Sequence, residues 1–125
     1  MADWRVAPVF VVSDVSRSVT YYRDQLGFEV LGTFGNPIEM AFVGRSGTQI
    51  MLQDAEGKPT PGPNSSYKSV AWDALFWVAN VRELANDLKR RGADIRREPY
   101  ETFYGRIELE ALDPDGHVLC FSQAR

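Results

Sequence analysis

The chain holds 125 residues, 44% hydrophobic and 25% charged, with a formal net charge of −3. That length and balance fit one soluble globular domain able to bury its own core, and they speak against a disordered, fibrous or strongly basic nucleic-acid-binding chain. A single cysteine excludes an internal disulfide, no apolar run approaches the roughly 20 residues of a membrane helix, and the start "MADWRVAPVF" lacks the basic and apolar regions of a signal peptide, so a cytoplasmic setting with no membrane or nucleic-acid partner is expected.

The first element in chain order is an apolar strand, "VAPVFVV" at 6–12. Side chains alternate along a strand, so Ala7, Val9 and Val11 share one side, and Pro8, Phe10 and Val12 the other. Asp14 follows, a residue type whose side chain accepts from the free N–H groups of a first helical turn. Val15, Val19, Tyr22 and Leu26 then recur at helical spacing, and Gly27 can take the left-handed conformation that ends a helix. Strands come next: "IEMAFVGRSG" closes on a turn signal, and "GTQIMLQD" at 47–54 runs on from a glycine. The stretch "EGKPTPGPNSSY" at 56–67 is dense in Pro, Gly and Ser and reads as a linker.

Beyond the linker the pattern repeats. "VAWDALFWV" at 70–78 is again an apolar strand, with Asp73, Leu75 and Trp77 on one side. Asn80 is the cap, Val81, Leu84, Ala85 and Leu88 make the apolar helix face, and Gly92 closes it. The basic stretch "LKRRGADIRREP" then carries Lys89, Arg90, Arg91, Arg96 and Arg97. Cations there complement a helix C-terminus; a phosphate-bearing ligand, such as a coenzyme A tail, is the functional alternative. "RIELEALDPDG" and "GHVLCFSQ" at 116–123 supply the closing strands. His117 follows the turn glycine directly, so alternation points it away from Cys120.

Each copy reads strand, helix, three strands. The expected fold is α+β: two βαβββ modules, 4–55 and 68–124, joined by linker 56–67. Their strands would form a curved, partly open barrel-like sheet with helices outside, leaving a concave face.

The doubled pattern resembles the vicinal oxygen chelate superfamily, which includes glyoxalase, bleomycin resistance proteins and extradiol dioxygenases. "VSDVSRSVTYYRDQLGFEV" and "GRIELEALDPDGHVLCF" carry the resemblance. It implies that enzymes of this kind would hold a divalent metal at the first and last strands of each module. The matching positions here are Ala7, Met51, Asp73 and Cys120. Alanine cannot ligate and methionine suits an oxygen-rich metal site poorly, so no metal and no other cofactor is expected.

The resemblance to the metal-free bleomycin-resistance-like proteins implies a homodimer that sequesters a planar or cationic small molecule, as in antibiotic resistance. The ligand-binding candidates are Gln49, Met51, Asp73, Trp77, Cys120, Phe103 and Tyr104. Trp72 and Tyr100 stand near the same strand ends. Asp73 is the one weak candidate for a catalytic base, since a buried carboxylate has a raised pKa. Glu39 and Glu108 are weaker candidates of the same type. Cys120 reads first as a small buried residue, then as a reactive thiol or a ligand. Two alternatives stand beside the binding protein. One is a metal-dependent lyase, isomerase or dioxygenase with an atypical site built on Asp73, Cys120 and Gln49. The other is an interaction module with no small ligand.

Overall fold

The computed structural model describes residues 3–125. The chain divides into two compact units, one ending at Pro61 and one running from Gly62 to Arg125. The boundary falls inside the Pro- and Gly-rich stretch 56–67, which also contains a short 3₁₀ turn, Asn64–Ser66.

The first unit contains β1 (Val9–Val12), α1 (Val15–Asp24), β2 (Glu29–Phe34), β3 (Met40–Gly44) and β4 (Ile50–Asp54). Its sheet order is β1-β4-β3-β2. First and last strands pair in parallel, Val9 opposite Met51 and Val11 opposite Gln53, while the other pairs are antiparallel. A parallel pair requires a crossover, and α1 lies on it. The Asp14 carboxylate accepts from the Arg17 N–H at 3.1 Å, and Val15, Val19, Tyr22 and Leu26 are all buried. Gly27 adopts φ +72° at the helix end, and the Phe28 N–H then closes on the Tyr22 carbonyl at 2.8 Å.

The second unit contains β5 (Ala74–Trp77), α2 (Val81–Arg90), β6 (Asp94–Glu101), β7 (Arg106–Leu112) and β8 (Val118–Ala124). The order β5-β8-β7-β6 reproduces the first sheet, with Leu75 opposite Cys120 and Trp77 opposite Ser122 in the parallel pair. Asn80 caps α2 through the Glu83 N–H. Val81, Ala85 and Leu88 are buried, as are Leu109, Ala111 and Leu119. Phe76 stacks on Phe121 with ring centroids 4.9 Å apart.

The repeat extends to a contact that the helix motifs alone do not disclose. In each unit a polar side chain at or next to the end of the last strand takes the first N–H of the helix. Asp54 accepts from Val15 at 3.1 Å, and Gln123 accepts from Val81 at 2.7 Å. These residues hold equivalent places in the repeat, seven beyond Gly47 and Gly116.

The fold is thus the expected α+β arrangement of two βαβββ modules, each with an open four-stranded sheet. Among the described residues, no helix is long and apolar enough to cross a membrane.

Candidate functional site

The second module carries the densest polar chemistry. Alternation along β7 sends Leu109 and Ala111 into the core, so Glu108 and Glu110 project from the opposite face. Both glutamates are buried, at 2% and 4% exposure. Burying a carboxylate demands partners, and each has its own set. Glu108 is held by hydroxyls: Tyr104 at 2.5 Å and Tyr100 at 3.5 Å on one oxygen, Ser122 at 2.8 Å on the other. Arg106 stands one bond behind, its Nε donating to the Ser122 hydroxyl at 2.7 Å. Glu110 instead accepts from the Trp72 indole N–H at 3.1 Å and pairs with Arg96 at 3.4 Å.

Strand β6 reaches this face by departing from regular pairing. Ile95 lies opposite Ala111, Arg97 opposite Glu110 and Tyr100 opposite Glu108, with register shifts in both intervals. Residues three apart on a regular strand face opposite ways; the second shift brings Arg97 and Tyr100 together. The Arg97 guanidinium lies over the Tyr100 ring, 3.6 Å from its centroid. The helix-end role expected for the two arginines is therefore not theirs, because the chain has already turned into β6. Arg90 and Arg91, which do end α2, pair with Asp87.

These side chains enclose a cleft of about 490 Å³ within the second module, inside the roughly 300–1,000 Å³ range of small-molecule sites. Trp72, Tyr100, Phe103 and Tyr104 supply its rings, and Arg97 and Glu110 are among its charged walls. Phe103 is fully exposed and Tyr104 half exposed, both on the turn between β6 and β7, their rings edge to face at 5.1 Å. The Tyr104 phenol is raised well above its ordinary pKa by desolvation and then by its hydrogen bond to Glu108, so it stays protonated as a donor.

The sequence candidates divide over the structure. Gln49 and Met51 belong to the first module, Met51 within β4. Phe103 and Tyr104 line the cleft. Trp77 lies at the end of β5, 75% exposed. Cys120 is buried opposite Glu110; burial first, then the neighbouring Glu108 and Glu110 charges, push its thiol far upward. Such a group is a poor nucleophile. Asp73 holds backbone with both oxygens: Asn64 N–H at 3.0 Å and Val118 N–H at 2.8 Å. It thereby ties the 3₁₀ turn to the start of β8.

The superfamily metal does not fit this donor set. Ala7 has no donor atom, Met51 offers a soft thioether, the Asp73 oxygens are engaged, and Cys120 is a lone buried thiol. Among the described residues, no three His, Cys, Asp or Glu side chains cluster so as to hold a metal ion.

His117 belongs to its own turn. The Asp113 carboxylate accepts from the backbone N–H groups of Asp115 and His117, each at 2.9 Å, and contacts His117 Nδ1 at 2.8 Å. Burial alone would lower the imidazole pKa, but the hydrogen bond and charge of Asp113, joined by the charges of Asp73 and Asp115, more than offset it, and the net shift is upward.

Glu110 and Arg97 were not foreseen as site residues. Period-2 reading of "RIELEAL" could have found Glu110, since it shares a face with Glu108. Arg97 had no comparable signal, because strand irregularities set its direction; Pro99, which cannot donate to a ladder, was the one hint.

A family model described as the Glyoxalase/Bleomycin resistance protein/Dioxygenase superfamily matches residues 5–121. No curated protein matches the sequence. Among solved structures, TioX from Micromonospora sp. ML1 is similar with a TM-score of 0.76 at 20% identity, covering 98% of this chain and 100% of that one. A member of the same superfamily from Sphaerobacter thermophilus DSM 20745 gives 0.73 at 20% identity over 98% of each chain. A glyoxalase-related enzyme from Clostridium phytofermentans gives 0.75 at 17% identity over 100% of this chain and 98% of that one. At such identities the likeness is one of fold.

Proposed function

This chain belongs to the glyoxalase/bleomycin resistance protein/dioxygenase superfamily, and from that membership we propose that it is a small-molecule-binding protein taking a planar ligand into the cleft of its second module without the superfamily metal. The aromatic lining of that cleft carries the proposal: Trp72, Tyr100, Phe103 and Tyr104 within one module. Flat rings gain from offset or edge contact with planar groups, roughly 0.5–1.5 kcal/mol each beyond the area they bury. The role is sequestration of an antibiotic or metabolite in the cytoplasm. The family resemblance adds a homodimer, which sedimentation analysis would check.

A cationic ligand would meet the carboxylates of the cleft lining, Glu101 and Glu110, which already face Arg125 and Arg96. It would reach either carboxylate only by competing with the arginine that faces it. Planarity, not positive charge, is therefore the property that the cleft selects.

The test is a titration of metal-stripped protein with a panel of planar aromatics, followed by tryptophan emission. Saturable quenching is expected. Trp72→Phe should remove much of the signal, and Phe103→Ala should weaken binding roughly threefold to tenfold. Failure of every planar compound, together with tight stoichiometric metal uptake, would replace this function with that of a metal-dependent lyase, isomerase or dioxygenase.

A further inference from the structure

The cleft holds charges of both signs, and they are not equally engaged. Glu110 is occupied by Arg96 and by the Trp72 indole. Glu101, on the rim, faces Arg125 at 3.6 Å. Arg97 differs: it lines the cleft and its guanidinium lies over Tyr100, and among the described residues no carboxylate stands at ion-pair distance from it. Its strand partner is Glu110, but the ion pair of that carboxylate is made to Arg96, the next residue along.

Two register shifts flank Arg97. Irregularities of this type re-aim side chains and gather near functional sites. Here they place consecutive arginines on different duties, Arg96 balancing the buried Glu110 and Arg97 facing the cleft. Stacking occupies the flat side of the guanidinium and leaves its N–H groups in the plane, edge-on, in the fork that suits a carboxylate.

Resting on the proposed function, we infer that the ligand of this cleft is a planar aromatic carboxylate, whose anionic group is received by Arg97 while its ring lies among Trp72, Phe103 and Tyr104. Arg97 sets specificity for charge; the aromatic lining supplies sequence-independent affinity for flat molecules.

Three matched probes test this by calorimetry: naphthalene carboxylate, the corresponding carboxamide, and naphthylmethylammonium. The carboxylate should bind about tenfold more tightly than the carboxamide, the scale of one charged hydrogen-bonded contact at a partly exposed site. In Arg97→Gln that ratio should fall to about one, as expected when the charged partner is gone. Arg82→Gln, on the exposed face of α2, should retain it. Equal binding of carboxylate and carboxamide by the unaltered protein would leave the planar-ligand function standing and overturn the assignment of Arg97. Tightest binding by the ammonium probe would overturn it too, in favour of Glu101 or Glu110. No binding by any of the three would remove both the inference and the function on which it rests.

Discussion

The Tyr104 hydroxyl lies 2.5 Å from Oε1 of Glu108, so a half-exposed turn residue supplies the shortest contact to a carboxylate that is 2% exposed. Removing the donor leaves Ser122 and the longer Tyr100 contact to hold that carboxylate. Tyr104→Phe should therefore destabilise the protein by roughly 1–2 kcal/mol. In a double-mutant cycle the loss should shrink when Glu108→Gln is already present. Additive effects in denaturant melts would show that the two groups are not coupled.

Asp73 gives a test that separates support from chemistry. Asp73→Ala strips a partner from the Val118 and Asn64 N–H groups, and a loss of roughly 1–3 kcal/mol follows. Affinity for a planar ligand, measured per folded molecule, should not change. A variant with normal stability and abolished binding would instead put Asp73 in contact with the ligand.

The pH dependence of stability should carry a signature of His117. Its pKa in the folded protein is raised above the ordinary 6.5, burial being outweighed by Asp113 together with Asp73 and Asp115. A raised value means that the folded state holds the proton more tightly than the unfolded chain. The contribution is thus complete below the unfolded value and disappears as pH rises through the folded one. NMR titration of the only histidine should give a midpoint above 6.5. Asp113→Asn should bring the midpoint down and flatten this part of the stability profile.

Titration of stripped protein with zinc, nickel, manganese or iron(II) should give no stoichiometric heat. The positions matching the metal ligands of the superfamily's enzymes hold Ala7, Met51, an engaged Asp73 and a buried Cys120. One tightly bound ion per chain would mean that other residues have assembled a site, and mutation of Asp73 and Cys120 would show whether they take part.

Most of the fold was legible because its signals are local. Asp14 and Asn80 before an apolar helix face, and Gly27 and Gly92 after it, set both helices and exposed the repeat. Strand alternation put Phe10 and Val12 on one side, and that side is buried. The cleft was less legible because its geometry depends on irregular pairing. Phe103 and Tyr104 could be suspected from their crowding near a turn, whereas Arg97 faces the cleft only through register shifts that its own sequence neighbourhood does not announce. Asp73 shows the converse: an acidic residue in an apolar stretch invites a chemical role, yet it lies just before β5 and its oxygens are used on N–H groups from residues 64 and 118, a pairing no local pattern displays.

The polar residue at or next to the end of each last strand ties helix order to strand order across a long stretch of chain. The Val15 amide waits for Asp54, 39 residues away, and the Val81 amide for Gln123, 42 residues away. A helix could nucleate early from its own cap, but that one amide stays open to solvent until the far strand docks, and such distant closures are slow. Hydrogen exchange at Val15 and Val81 would consequently serve as two separate clocks, one for the closing of each module and neither dependent on the signal of the other.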